Sequence, residues 1–182
     1  LFTTGDGKLA NTRSLYFETN RRNWESIRLE GSDSVTVEMA LPVDGGGRIV
    51  KRFTFRNGSY ELGANVAFVG AARAISNYEY QLVWENGLRF SEANSVDEAT
   101  FAKAYAFAGG ELLEIDATNP GEPVKQEMSG ATSWVGTHTK YFAVAMLAEE
   151  GATAGAYLEG HANHAADQGM TKKYTIGLRM PY

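Results

Sequence analysis

Cysteine is absent from the 182 residues, which excludes disulfides, thiolate nucleophiles and thiolate metal sites and leaves the compartment open. Proline is scarce, at four residues, and no stretch is rich in Pro and Ser, so nothing reads as a linker. No run approaches the roughly 18 apolar residues that cross a bilayer, and the opening residues lack the basic end and apolar stretch of a signal peptide, which predicts a chain that is itself soluble. Basic residues are outnumbered, 17 Lys and Arg against 22 Asp and Glu, and are scattered rather than gathered into a stripe; nucleic acid is not an expected partner. The chain begins on Leu1 rather than Met and ends on Gly-Leu-Arg-Met-Pro-Tyr, and is expected to be a fragment of a longer protein. With no internal repeat and a length suited to one core, residues 1–182 are expected to form a single domain.

What is present is strand signal. Val35, Val37, Met39 and Leu41 alternate with Thr36, Glu38 and Ala40, the period of two of a half-buried strand. Two alternating runs, about 49–56 and 60–69, flank Asn57-Gly58, a dipeptide suited to the positive φ angles of a tight hairpin turn. Another strand is expected in Tyr78–Trp84, ended by Asn86-Gly87, with further strands near 102–108, 111–117, 123–129, 134–147, 153–160 and 172–179. One helical signal interrupts them: Ser95 with Glu98 three residues on reads as a capping box. The following run places Phe101, Lys103, Tyr105 and Phe107 on one side and Ala on the other, so one helical turn and then a strand is expected.

Candidate chemistry is thin. His161 and His164 would share a helix face as metal ligands, but a surface loop is the simpler reading. His138 could act as a general base, yet its alternation with Thr137 and Thr139 on the opposite face reads more simply as a polar strand face. The Asp-Gly-Gly-Gly at 44–47 has the glycine content of a phosphate loop without the following Lys and Ser or Thr, and reads as a hairpin turn. Glu92, Asp97 and Glu98 form an acidic cluster whose separation sequence cannot supply, and capping accounts for Glu98. Trp24, Trp84 and Trp134 could stack on sugars, but in a sandwich of this size Trp is more often core.

Resemblance carries the reading further. Residues 129–147, Ser-Gly-Ala-Thr-Ser-Trp-Val-Gly-Thr-His-Thr-Lys-Tyr-Phe-Ala-Val-Ala-Met-Leu, resemble a strand pair of the periplasmic domain of the YidC membrane protein insertase family. There a Gly-Trp-Val segment leads into Tyr-Phe-Ala, and the matching positions are Trp134, Val135, Tyr141, Phe142 and Ala143. Residues 50–70 are similar to the family's hairpin of Lys-x-Phe-x-Phe, a turn and Tyr-x-Leu, at Lys51, Phe53, Phe55, Tyr60 and Leu62. Residues 78–90 and 95–116 likewise resemble the middle of that domain as found in green sulfur bacteria, so the resemblance covers about 34–182.

The resemblance implies an all-β fold, a β-supersandwich of two antiparallel sheets with at most short helical turns. It implies a non-catalytic accessory domain, without cofactor or metal, on the periplasmic face of the inner membrane in a multi-pass parent protein. The implied partners are SecDF and other components of the Sec translocon, together with nascent membrane proteins, and the segment 101–134 falls in the part of the domain to which SecDF contact is attributed. The motif residues are expected to be mainly structural, with the aromatics of 133–147 packed inward, so that Trp134→Ala or Phe142→Ala would cost about 3 to 5 kcal/mol. The alternative is a carbohydrate-binding or mutarotase-like supersandwich protein, in which His138 and a Glu would converge in a cleft.

Overall fold

The computed structural model describes residues 1–22, 24–149, 153–166 and 169–182. With 55% of residues in strands and 6% in helix, arranged as several antiparallel sheets without a barrel, the fold is the expected all-β sandwich. The residues group into two compact units, Leu1–Glu79 with Tyr182, and Tyr80–Pro181.

In the first unit, β1 (Phe2–Thr4) pairs with β2 (Leu9–Ala10), and a turn of 3-10 helix follows at Thr12–Ser14, capped by the Asn11 side chain, which accepts from Arg13 N–H at 2.9 Å. A four-stranded antiparallel sheet runs in the order β3 (Glu18–Thr19), β4 (Ser34–Val43), β5 (Gly47–Arg56) and β6 (Leu62–Val69). The alternation that announced β4 sets its register, from Ser34 opposite Arg56 to Val43 opposite Gly47. Residues 44–46 form the hairpin turn, with Gly45 and Gly46 at φ 91° and 86°, where a side chain would be strained, and Gly47 already opens β5. The β5–β6 turn is looser than the tight two-residue form expected: it spans 57–61, and Gly58 (φ 69°) has positive φ while Asn57 does not. Asn57 instead ties back to the preceding loop, its N–H donating to Asp33 O at 3.0 Å and its Nδ2 to Gly31 O at 2.9 Å.

Strand β7 (Ile75–Trp84) carries the chain into the second unit. Helix α1 (Ser95–Phe101) leads to β8 (Lys103–Ala108), β9 (Glu111–Ile115), β10 (Val124–Ser129), β11 (Thr132–His138), β12 (Ala143–Leu147), β13 (Gly155–His164) and β14 (Met170–Pro181). One antiparallel sheet runs β12-β11-β8-β9; β10, β13 and β14 lie side by side in another, and the core fills the space between. The strand expected over 134–147 is two strands, broken by the turn at Lys140 and Tyr141.

That core has a division of labour. From β8 come Ala104 and Ala106, fully buried; from β13 and β14 come Leu158, Ile176 and Leu178, also fully buried. Small side chains on one sheet accept large aliphatic ones from the other, which lets the sheets approach closely. Tyr174 straps the interior: its buried hydroxyl donates to Ala102 O at 2.9 Å and accepts from Ala117 N–H at 3.1 Å, and desolvation raises its pKa. Beside it, the buried Lys172 ammonium pairs with Asp116 at 2.5 Å. Two tyrosines lie over glycines directly across the β13–β14 ladder, Tyr174 over Gly160 and Tyr157 over Gly177. A Cβ on Gly160 would stand 2.7 Å from the Tyr174 ring, so only glycine leaves room there.

Several expectations are corrected. The helix N-cap is Asn94, which accepts from Val96 and Asp97 N–H, and not Ser95; Glu98 does not reach back to the cap. His161 and His164 lie in β13 and not in a surface loop, both exposed. None of the three tryptophans is core: Trp24 is fully exposed, Trp84 is 40% exposed, and Trp134 is half-buried. The inward packing expected of Tyr141 and Phe142 fails as well, since both are more than half exposed. For Trp134 the reason is the alternation itself, since its neighbour Val135 takes the inner face and the period of two turns the tryptophan outward, whereas Tyr141 and Phe142 lie in the connection between β11 and β12, outside either strand.

Replacing Leu158 by Ala is expected to cost about 2 to 5 kcal/mol and Gly160 by Ala about 1 to 3 kcal/mol in a urea titration, whereas Phe142→Ala stays below about 1 kcal/mol as a surface change. Alkaline stability follows from Tyr157, whose pKa burial, with Glu85 and Glu159 nearby, pushes up to about 12 from the ordinary 10.0. The folded chain then holds a proton that the unfolded chain has released, so stability is intact below pH 10.0 and falls as pH climbs towards about 12. Chemical denaturation across that range should show the decline, and Tyr157→Phe should make it shallower, the raised pKa of the buried Tyr174 supplying part of the remainder.

Candidate protein-interaction surface

The outer face of the β12-β11-β8-β9 sheet follows from its inner one. With Ala104, Ala106 and Val135 turned inward, β8 and β11 present Lys103, Tyr105, Phe107, Trp134 and His138 outward. The register aligns Leu112 with Phe107, Phe107 with Trp134, and Trp134 with Leu147, so four apolar side chains form one row across all four strands. Phe107 and Trp134 stack with centroids 6.4 Å apart and planes 9° apart, while Leu112 and Leu147 at the ends are 58% and 75% exposed. Stacked aromatic neighbours across strands stabilise the pairing, but the outward apolar surface has no cover among the described residues.

Farther along the same face Tyr105 stacks on His138 at 5.5 Å. His138 Nδ1–H donates to Thr139 O at 2.9 Å, which leaves Nε2 to accept from the Tyr105 hydroxyl at 3.4 Å. Lys103 and Glu114 pair at 2.5 Å, which raises the lysine pKa and lowers the carboxyl's. This end of the face is polar, and its groups are already matched to one another.

A groove of about 660 Å³ lies beside the start of β12, lined by Trp84, Leu88, Phe90, Phe142 and Val144 with Arg89 at its exposed rim. Both walls are anchored on α1. The Glu98 carboxylate, fully buried, accepts through Oε2 from Ser91 N–H at 2.8 Å and Glu92 N–H at 3.0 Å, fixing the 88–92 wall. On the other wall Lys140 bonds the Asp97 carboxylate and lies 3.4 Å from Glu92, while the Tyr141 hydroxyl donates to Glu92. These contacts, that to Asp97 foremost, raise the Lys140 pKa. The acidic cluster noted in the sequence is therefore a brace for two loops. No His or Glu lines the groove, so the convergence that a mutarotase-like site requires does not occur there, and no group of three His, Asp and Glu among the described residues could hold a metal.

The family-motif residues fall in two places. In the first unit Lys51 is half-buried, its Nζ donating to Thr12 Oγ1 at 2.6 Å and lying 4.4 Å from the centre of the Phe17 ring; burial lowers its pKa. Phe53 is half-buried on the same strand, Phe55 is exposed at its end, and Tyr60 stands fully exposed in the turn. In the second unit Val135 is wholly buried, Trp134 belongs to the outer row, and Tyr141, Phe142 and Ala143 are exposed at the β11–β12 turn.

A family model described as the YidC periplasmic domain matches residues 1–180. The chain belongs to the YidC periplasmic-domain family. Among relatives named membrane protein insertase YidC, the Chloroherpeton thalassium protein is 34% identical over 179 residues, covering 98% of this chain and 30% of its own length. The Chlorobaculum tepidum protein is 33% identical over 183 residues, covering 100% and 30%, and that of Chlorobium phaeovibrioides 38% over 160 residues, covering 88% and 27%. The chain thus spans under a third of the YidC relatives it matches. No solved structure matches it, and no helix among the described residues is long and apolar enough to cross a membrane.

Leu112, Leu147 and the groove residues Leu88, Arg89 and Phe90 were not singled out in the sequence. Alternation in 111–115 and 143–147 places Leu112 and Leu147 on a face, but only the cross-strand register puts them in one row with Phe107 and Trp134. Removing the brace should be measurable: Glu98→Ala strands the Ser91 and Glu92 donors and is expected to cost about 1 to 3 kcal/mol in urea titration, with faster hydrogen exchange at those two amides.

Proposed function

We propose that this chain is the periplasmic accessory domain of a membrane protein insertase, a single domain lodged on the periplasmic face of the inner membrane. It performs no chemistry of its own and binds protein partners, SecDF and other Sec translocon components among them, while nascent membrane proteins are handled by the parent protein in a chaperone role. The observation that carries this reading is the uncovered row from Leu112 to Leu147, apolar and aromatic at its centre and flanked by matched polar pairs, the anatomy of a protein-binding patch. Family membership over 1–180 supports the assignment to an insertase and the treatment of both units as one domain. Part of the row, Phe107, Leu112 and Trp134, falls within the 101–134 segment that the family resemblance associates with SecDF.

The test is binding of the purified chain to SecDF in detergent, by interferometry, for wild type and for a Leu112→Lys, Leu147→Lys double variant. Saturable binding that the double variant weakens by about tenfold or more, with an unchanged melting temperature, is the expected result. Failure of the chain to bind SecDF, while a full-length insertase binds it through another region, would remove the Sec contact from this domain.

A further inference from the structure

Strand β12 is the end strand of its sheet, paired only with β11. Which of its main-chain groups are used follows from the ladder. Thr139 N–H donates to Phe142 O at 2.8 Å, and Ala148 N–H donates to Ser133 O at 3.0 Å. In the register Thr137 opposite Val144 and Val135 opposite Met146, the residues bonded to β11 are therefore Phe142, Val144, Met146 and Ala148. The N–H and C=O groups of Ala143, Ala145 and Leu147 point the other way, and no partner meets them among the described residues.

The side chains suit a visitor too. Ala143 and Ala145 are small and exposed, so nothing on the outer face blocks an approaching chain, while Val144 turns towards the groove. That groove is apolar except at Ser91 and at Arg89, whose exposed guanidinium makes no ion pair among the described residues, in contrast to Lys140 on the opposite wall, which has two carboxylates. Natural edge strands are usually guarded by inward charges, proline or a covering loop. Residues 143–147, Ala-Val-Ala-Met-Leu, carry neither a charge nor a proline.

We infer that β12 is a strand-addition site: an extended segment of another polypeptide pairs with Ala143, Ala145 and Leu147 through its main chain, places an apolar side chain in the groove, and sets a carboxylate against Arg89. Affinity comes from main-chain bonds that any sequence can make, and selectivity from the alternation of apolar residues with one acid. The contact meets the Leu112–Leu147 row at Leu147 but uses that residue's main chain at the sheet edge rather than the side-chain face, so it does not depend on which protein occupies the row.

The probe is a fluorescein-labelled peptide, Thr-Val-Thr-Val-Asp-Val-Thr-Val, titrated with the chain and followed by anisotropy. Three comparisons accompany it: the same peptide N-methylated at alternate residues, the same peptide with Asn for Asp, and the variants Ala145→Pro and Arg89→Glu. Proline at 145 removes an outward N–H and no β11 bond, so the fold is retained, as circular dichroism will check. Saturable binding that N-methylation and Ala145→Pro each weaken by about tenfold or more, with Arg89→Glu weakening the Asp peptide but not the Asn peptide, supports the proposal. Equal binding of the N-methylated peptide, which needs no folded variant to interpret, or no saturable binding at all, overturns it. So does sedimentation of the chain as a dimer that Ala145→Pro dissociates, which would give the edge to a second copy.

Discussion

The close approach of two sheets in the second unit governs what the rest of that unit can be. Ala104 and Ala106 on β8 lie against Leu158, Ile176 and Leu178, all fully buried, and the hydroxyl of Tyr174 joins the end of α1 to the start of the segment after β9. Once the inner positions of β8 are alanines, the pleat leaves the bulky residues no place but the other side. The exposed aromatic row is thus the reverse of the packing. A core made of small residues on one sheet yields a surface made of large ones.

The helix contributes differently. Seven residues long, α1 buries Glu98, which no apolar core would accept unless its lone pairs were used. Oε2 uses its own to hold the Ser91 and Glu92 amides, Oε1 having no partner among the described residues, while Asp97 one residue earlier reaches Lys140 in the β11–β12 turn. Two consecutive acids therefore brace two loops from one helical turn and keep the groove between them open. The ion pairs at Lys140 are partly exposed and individually weak in water, so the buried hydrogen bonds of Glu98 are the firmer part of the brace.

For a member of the YidC periplasmic-domain family, the surfaces rather than a catalytic centre are where the structure concentrates unsatisfied chemistry. Among the described residues, apolar area is left bare on a sheet face, main-chain donors and acceptors are left bare on a sheet edge, and the Arg89 guanidinium at the groove has no acid beside it. Two of the histidines that looked chemical in the sequence are matched internally, His138 with Thr139 and Tyr105 and His161 with Glu159.

Strand positions were readable because the period of two survives in single segments: β4, β8 and β10 lie within a residue or two of where alternation placed them. The hairpin turn at 44–46 was readable because Gly45 and Gly46 take positive φ angles that glycine tolerates without strain. Direction was not readable. In β8 either face could have been inward, and the general preference for buried aromatics pointed the wrong way for Tyr141, Phe142 and the three tryptophans. Nor could spacing show that Glu98 serves residues N-terminal to its helix rather than the cap, because that partner is set by how the loop folds back.

By itself, the sequence determined the all-β class, the strand segments and the absence of thiol chemistry, since these depend on local periodicity and composition. Which face of each strand is core, which residues line up across four strands, and which edge stays open were decided only in the tertiary structure, because burial and register are properties of pairs of strands and are not written in any one of them.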